Sequence, residues 1–216
     1  VLQEKAKLLL AVHQPGIVVV PDTIDVSGVN IQATIVTVGS SENADVRIET
    51  SVDTNGFATL SMEGCTITLG LLGEHNARNA ALAVVAVARA LPSRTTKSLL
   101  AKATEVSAPD GRLQRVEVDG VTFLNDSYNA NPASMQAALC FFHKMQAKRK
   151  VLVLGDMLEL GECAHAEHRA IICSLSEVEC DVVVLVGQAM SDASDGFPAI
   201  CIDGDDPLDS VASLLE

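Results

Sequence analysis

The sequence predicts an α/β fold in two parts, residues 1–108 and 109–216, and three observations carry the prediction. Four β-rich runs succeed one another between Ala33 and Leu71, closed by turn signals. A long alanine- and valine-rich helical stretch follows, from Gly73 to Leu91. Beyond the breaker Ser107-Ala108-Pro109-Asp110-Gly111, strand and helix patterns alternate, which predicts a mostly parallel sheet covered by helices.

The elements follow in order. Residues 1–10 alternate charge and leucine like the end of an amphipathic helix, starting without a cap or methionine, so the chain is expected to be a piece of a longer protein. Ile17 to Val20 is a buried-type strand halted by Pro21-Asp22. Ala33–Val38, Asp45–Val52, Gly56–Met62 and Cys65–Leu71 are strand runs. Turns at Asp53-Thr54-Asn55-Gly56 and Glu63-Gly64 make the last three an antiparallel meander. A second helix runs from Thr95 to Thr104. In the second part, strands are expected at Leu113–Val118, Val121–Leu124, Val151–Leu154, Val182–Val186 and near Ile200–Ile202. Helices are expected at Ala133–Met145, His165–Leu175 and about Asp206–Leu215.

Composition bounds the function. With 48% hydrophobic and 20% charged residues, the 216-residue chain is globular. A net charge of −13 argues against nucleic-acid or anionic-membrane partners, which require a concentrated positive surface. No run reaches the roughly 18 to 20 apolar residues of a membrane span. With no signal peptide in the first residues, a cytoplasmic location is expected. The six cysteines show no C-x-x-C spacing and read as small core residues of a reducing compartment. Cys163, His165 and His168 are the only metal-like cluster. A structural zinc takes four ligands, so no metal site is assigned.

The polar loop Asn125-Asp126-Ser127-Tyr128-Asn129-Ala130-Asn131-Pro132 stands between a strand and a helix, where open α/β sheets bind ligands. Its carboxylate, hydroxyl, phenol and amides can read a polar ligand through both donors and acceptors. The same residues are ordinary turn and cap formers. On the first turn of the Gly73–Leu91 helix stand His75, Asn76 and Asn79, with the two asparagines three apart on one face. Capping needs one such residue, and the surplus favours binding. The loop Gly155-Asp156-Met157-Leu158-Glu159-Leu160-Gly161-Glu162 offers acids that suit a cation or an ammonium, and equally a solvated surface.

Gly73-Glu74-His75-Asn76-Ala77-Arg78-Asn79-Ala80-Ala81, Pro109-Asp110-Gly111-Arg112-Leu113, Asp126 to Met135 and Leu154 to Gly161 together resemble the Mur ligases, in order and spacing. The resemblance covers about residues 70 to 190. It implies the end of a central ligase domain followed by a Rossmann-like carboxyl-terminal domain. It further implies an ATP-dependent amide ligase of bacterial cell-wall synthesis, using magnesium, that joins UDP-N-acetylmuramoyl-tripeptide to D-alanyl-D-alanine through an acyl phosphate, acting as a monomer. Carried over by position, His75, Asn76 and Asn79 contact the adenine side, Arg112 reaches the phosphates, and Asp126 meets the ribose. Ser127, Tyr128, Asn129 and Asn131 shape the dipeptide site, and Pro109–Gly111 is the interdomain hinge. Sister ligases, folylpolyglutamate synthetase and a non-catalytic nucleotide-binding module are the alternatives.

The departures from the family are equally specific. The chain holds no glycine-rich phosphate loop ending in Gly-Lys-Thr or Gly-Lys-Ser. The family's magnesium-binding glutamate and carbamylated lysine would precede Val1, and its last strand with a Lys-Gly-Ser element would follow the final helix. No catalytic set is complete, so these 216 residues alone are expected to be inactive and to bind ATP weakly.

Overall fold

The computed structural model describes residues 7–202. The chain divides into two compact units between Ala108 and Pro109. In the first unit, β1 (Ile17–Pro21), β2 (Thr34–Gly39), β3 (Val46–Val52), β4 (Phe57–Met62) and β5 (Cys65–Leu72) form one sheet in sequence order. β1 to β3 run parallel, and β3, β4 and β5 form the antiparallel meander expected from the turns. Glu63 and Gly64 both have positive φ, 48° and 74°, the conformation that lets a two-residue loop follow strand twist.

Helix α1 (Glu74–Ala90) lies on this sheet, and α2 (Thr96–Ala103) packs against α1. The alternation of β4 buries Ala58, Leu60 and Met62, which meet Ala77, Ala81 and Val85 of α1. Two periods, two along the strand and 3.6 along the helix, thus present their apolar faces to one core. Thr95 caps α2 by accepting the N–H of Ser98 at 3.2 Å.

The second unit begins with a hairpin, β6 (Gln114–Val118) and β7 (Val121–Asn125), turned by Asp119 and Gly120 at φ 49° and 81°. Helix α3 (Pro132–Lys144) follows, then β8 (Val151–Gly155), α4 (Ala164–Ser174), β9 (Val182–Val186), α5 (Gln188–Ser194) and β10 (Ile200–Ile202). Strands β10, β9 and β8 make a parallel sheet. Among the described residues the hairpin is a separate two-stranded sheet, so the parallel sheet is narrower than the strand pattern suggested. Met135 and Leu139 of α3, Ile171 and Ile172 of α4, Met190 of α5 and Leu185 of β9 share one core.

Boundaries shift by a residue or two, as fraying ends do. Helix α5 went unread because Gln-Ala-Met-Ser-Asp-Ala-Ser is short and polar, and only Met190 and Ala193 enter the core. Of the helix expected over 1–10, residues 7–10 are helical and the remainder lies outside the described residues. The helix expected over about 206–215 also lies outside them.

Candidate functional site

The polar loop after β7 is stitched to the segment that opens the second unit. The Asp126 carboxylate accepts the N–H of Leu113 at 2.8 Å, and the N–H of Tyr128 donates to the carbonyl of Gly111 at 3.0 Å. Leu113 is buried with φ 47°, a conformation that is uncommon for leucine and is held here by that carboxylate. Gly111 has φ 70°, and a Cβ there would come 3.0 Å from the N of Tyr128, so the close approach requires glycine. Between these two anchors Arg112 projects outward, its guanidinium carbon 4.1 Å from the centre of the Tyr128 ring. Among the described residues no carboxylate pairs with Arg112.

The loop is shaped from within by Asn125. Its side-chain oxygen accepts from both the N–H (3.2 Å) and the hydroxyl (2.7 Å) of Ser127. Asn129 is exposed. Asn131 is the N-cap of α3: its side-chain oxygen accepts the N–H of Ser134, while its own N–H donates to the Ser134 hydroxyl. Pro132 fills the first helical position, where no N–H is needed. The side-chain oxygen of Asn131 is therefore committed to the helix.

Beneath the loop lies a cleft of about 640 Å³. Asp126, Tyr128 and Ser134 border it on the polar side, and Leu139, Val153 and Leu158 on the apolar side. The loop after β8 lines it as well. There the Asp156 carboxylate accepts the N–H groups of Met190 (2.8 Å) and Ala189 (3.2 Å), capping α5 from 34 and 33 residues away. A Cβ on Gly187, at φ 104°, would fall 2.4–2.6 Å from that carboxylate. Asp156 thus joins two strand ends of the sheet, a use that its acidic surroundings in the sequence did not reveal.

In the first unit, His75, Asn76 and Asn79 stand on the opening turn of α1, and Gly73 is the N-cap without a side-chain bond. Asn76 does not cap. Its Nδ2 donates to the carbonyl of Leu72 at 2.9 Å, and its Oδ1 accepts from Asn79 Nδ2 at 3.4 Å. His75 and Asn79 are exposed, and Asn76 is half-buried. Beside them Glu74 accepts the Thr50 hydroxyl (2.8 Å) and pairs with Arg78 (2.6 Å).

Three residues apart on α4, His165 is exposed while His168 is fully buried. Both ring nitrogens of His168 are in use, one with the Met157 N–H and one with the Ala164 carbonyl. Among the described residues no group of three His, Cys, Asp or Glu side chains is disposed to hold a metal. Nor is any described helix long and apolar enough to cross a membrane.

Family comparisons match both units. The Mur ligase middle domain matches residues 1–87, and the Mur ligase glutamate ligase domain matches residues 111–204. This chain belongs to the Mur ligase family. Among curated Mur ligases, the UDP-N-acetylmuramoyl-tripeptide–D-alanyl-D-alanine ligase of Treponema pallidum is 39% identical over 127 residues, 58% of this chain and 27% of that protein. The crystal structure of MurF from Acinetobacter baumannii superposes with a TM-score of 0.83 at 27% identity, covering 99% of this chain and 48% of that one. MurF ligase from Thermotoga maritima in complex with ADP shares the fold, with a TM-score of 0.78 at 21% identity over 99% of this chain and 50% of that one. This Mur ligase chain therefore spans about half the length of the solved ligases it resembles, and its match to the curated relative spans 27% of that protein.

Proposed function

We propose that this chain is part of an ATP-dependent amide ligase of peptidoglycan precursor synthesis, which adds D-alanyl-D-alanine to UDP-N-acetylmuramoyl-tripeptide. One observation supports it above the rest: Arg112, without a carboxylate partner, is stacked on Tyr128 beside a carboxylate with one oxygen to spare. Asp126 spends Oδ1 on Leu113, and its Oδ2 accepts no hydrogen bond among the described residues. A carboxylate of this kind suits a ribose hydroxyl, and an unneutralised guanidinium suits phosphate oxygens.

In this reading His75, Asn76 and Asn79 contact the adenine end of ATP, with Arg112 at the phosphates and Asp126 at the ribose. Ser127, Tyr128, Asn129 and the Asn131 amide face the incoming dipeptide. ATP activates the tripeptide carboxylate by phosphorylation, since a free carboxylate is a poor electrophile, and the dipeptide amine displaces the phosphate. Arg112 offsets charge developing on the transferred group. Magnesium accompanies the ATP. Pro109–Gly111 serves as the hinge between central and carboxyl-terminal domains, and the protein works as a cytoplasmic monomer.

The names of the relatives support this amine donor over those of sister ligases. The deciding experiment is ADP release by the full-length protein given ATP, magnesium and UDP-N-acetylmuramoyl-tripeptide, with and without D-alanyl-D-alanine. Dipeptide-dependent release that Asp126→Ala abolishes is expected. Release indifferent to the dipeptide would point to a sister ligase with another amine.

A further inference from the structure

Helix α4 buries an imidazole completely, and nothing in the proposed chemistry uses it. His168 is 0% exposed. Its Nε2 accepts the backbone N–H of Met157 at 2.9 Å, which places the ring proton on Nδ1, where it bonds the Ala164 carbonyl at 2.7 Å. Both nitrogens are consumed, so this histidine neither binds substrate nor moves a proton. What it does is hold the backbone of the loop after β8.

That loop is held on both sides of Met157. Asp156 is tied to the start of α5, the Met157 side chain is 3% exposed in the core, and Glu159 turns the chain away at φ 61°. Between these fixed points Leu158 stands 76% exposed on the border of the cleft, which Tyr128 and Asn129 also line. A large apolar side chain on a backbone so firmly held is presented to the cleft. Ser127, Tyr128 and Asn129 line the same cleft, so it offers polar as well as apolar contacts to a small ligand.

We propose that Leu158 is a specificity-determining contact for the methyl groups of the dipeptide amine donor, and that His168 is the positioning residue that presents it. The inference rests on the ligase reading above. Leu158 covers a methyl, and Asn129 and Ser127 meet polar atoms of the same ligand. Loss of an apolar contact of this size changes discrimination by roughly tenfold or more.

The test uses the full-length protein, with ADP release read against D-alanyl-D-alanine, glycylglycine and ATP. Leu158→Ala should raise KM for D-alanyl-D-alanine roughly tenfold, erode its preference over glycylglycine, and leave KM for ATP unchanged. His168→Leu should have the same split and should speed amide hydrogen exchange at Met157, whereas His168→Gln, which restores an acceptor, should recover both. If His168→Leu does not fold, the exposed Leu158 variant decides alone. Wild-type protein lacking dipeptide-dependent release overturns the ligase reading. Dipeptide-dependent release with an unaltered dipeptide KM in Leu158→Ala overturns only this inference.

Discussion

The Asp126 carboxylate bonds the backbone N–H of Leu113 at 2.8 Å, so the acid of the polar loop also props the segment that opens the second unit. Substitution separates this prop from the ribose contact proposed for the same side chain. Asp126→Asn keeps an oxygen for Leu113 and should stay near wild-type stability, while Asp126→Ala strands a buried N–H and should cost about 1–3 kcal/mol. Denaturant unfolding of the chain measures this, and equal losses in the two variants would rule out the prop.

Gly187 and Gly120 both have positive φ, yet only Gly187 faces a carboxylate within 2.6 Å of its missing Cβ. Gly120→Ala should lose about 1 kcal/mol through backbone strain alone. Gly187→Ala should lose more, because Asp156 must also release the start of α5. Thermal unfolding of the two variants side by side gives the comparison, and matched midpoints would refute the Asp156 clasp.

Burial pushes the Cys180 thiol up, which outweighs the favourable field of Lys150. Cys140, Cys163, Cys173 and Cys201 are exposed and not the core residues their pattern suggested; the thiolate is the nucleophile, so Cys180 should alkylate later than these four at mildly alkaline pH. Peptide mapping after brief iodoacetamide treatment reads the order. Early labelling of Cys180 would contradict it.

Asp45 accepts the N–H and the hydroxyl of Thr37, both at 2.8 Å, and these bonds, the backbone one foremost, hold its carboxyl below the ordinary 3.8. A depressed folded value means that the stabilisation is complete above the unfolded value and is lost as pH falls through the folded one. Asp45→Asn should therefore unfold earlier than wild type at neutral pH, with the gap closing in strong acid. A gap that stays constant across that range would exclude ionisation as its source.

Much of the architecture was legible because it is local. Glu63-Gly64 and Asp119-Gly120 could be read as hairpin turns since their left-handed conformations favour such residues. The start of α3 was equally plain in Asn131-Pro132, though the same residues then read as ligand contacts, and only the structure assigns the Asn131 oxygen to Ser134. Parallel pairing of β1 with β2, by contrast, carries no turn signal, because parallel neighbours are joined by a crossover. The short polar helix α5 had too weak a period to register.

By itself the sequence determined the α/β class, most of the order of elements and the Mur ligase character, all of which reside in contiguous residues. Backbone sterics and the two side-chain periods act over a few residues and can be read from them. Only the tertiary structure decided that Gly111–Leu113 meets Asp126–Tyr128, that Asp156 caps a helix more than thirty residues away, and that His168 is a buried prop and not a ligand. These depend on which strands become neighbours in the sheet and how the helices pack upon it. Packing places a donor against an acceptor across the chain, and no local pattern encodes that distance.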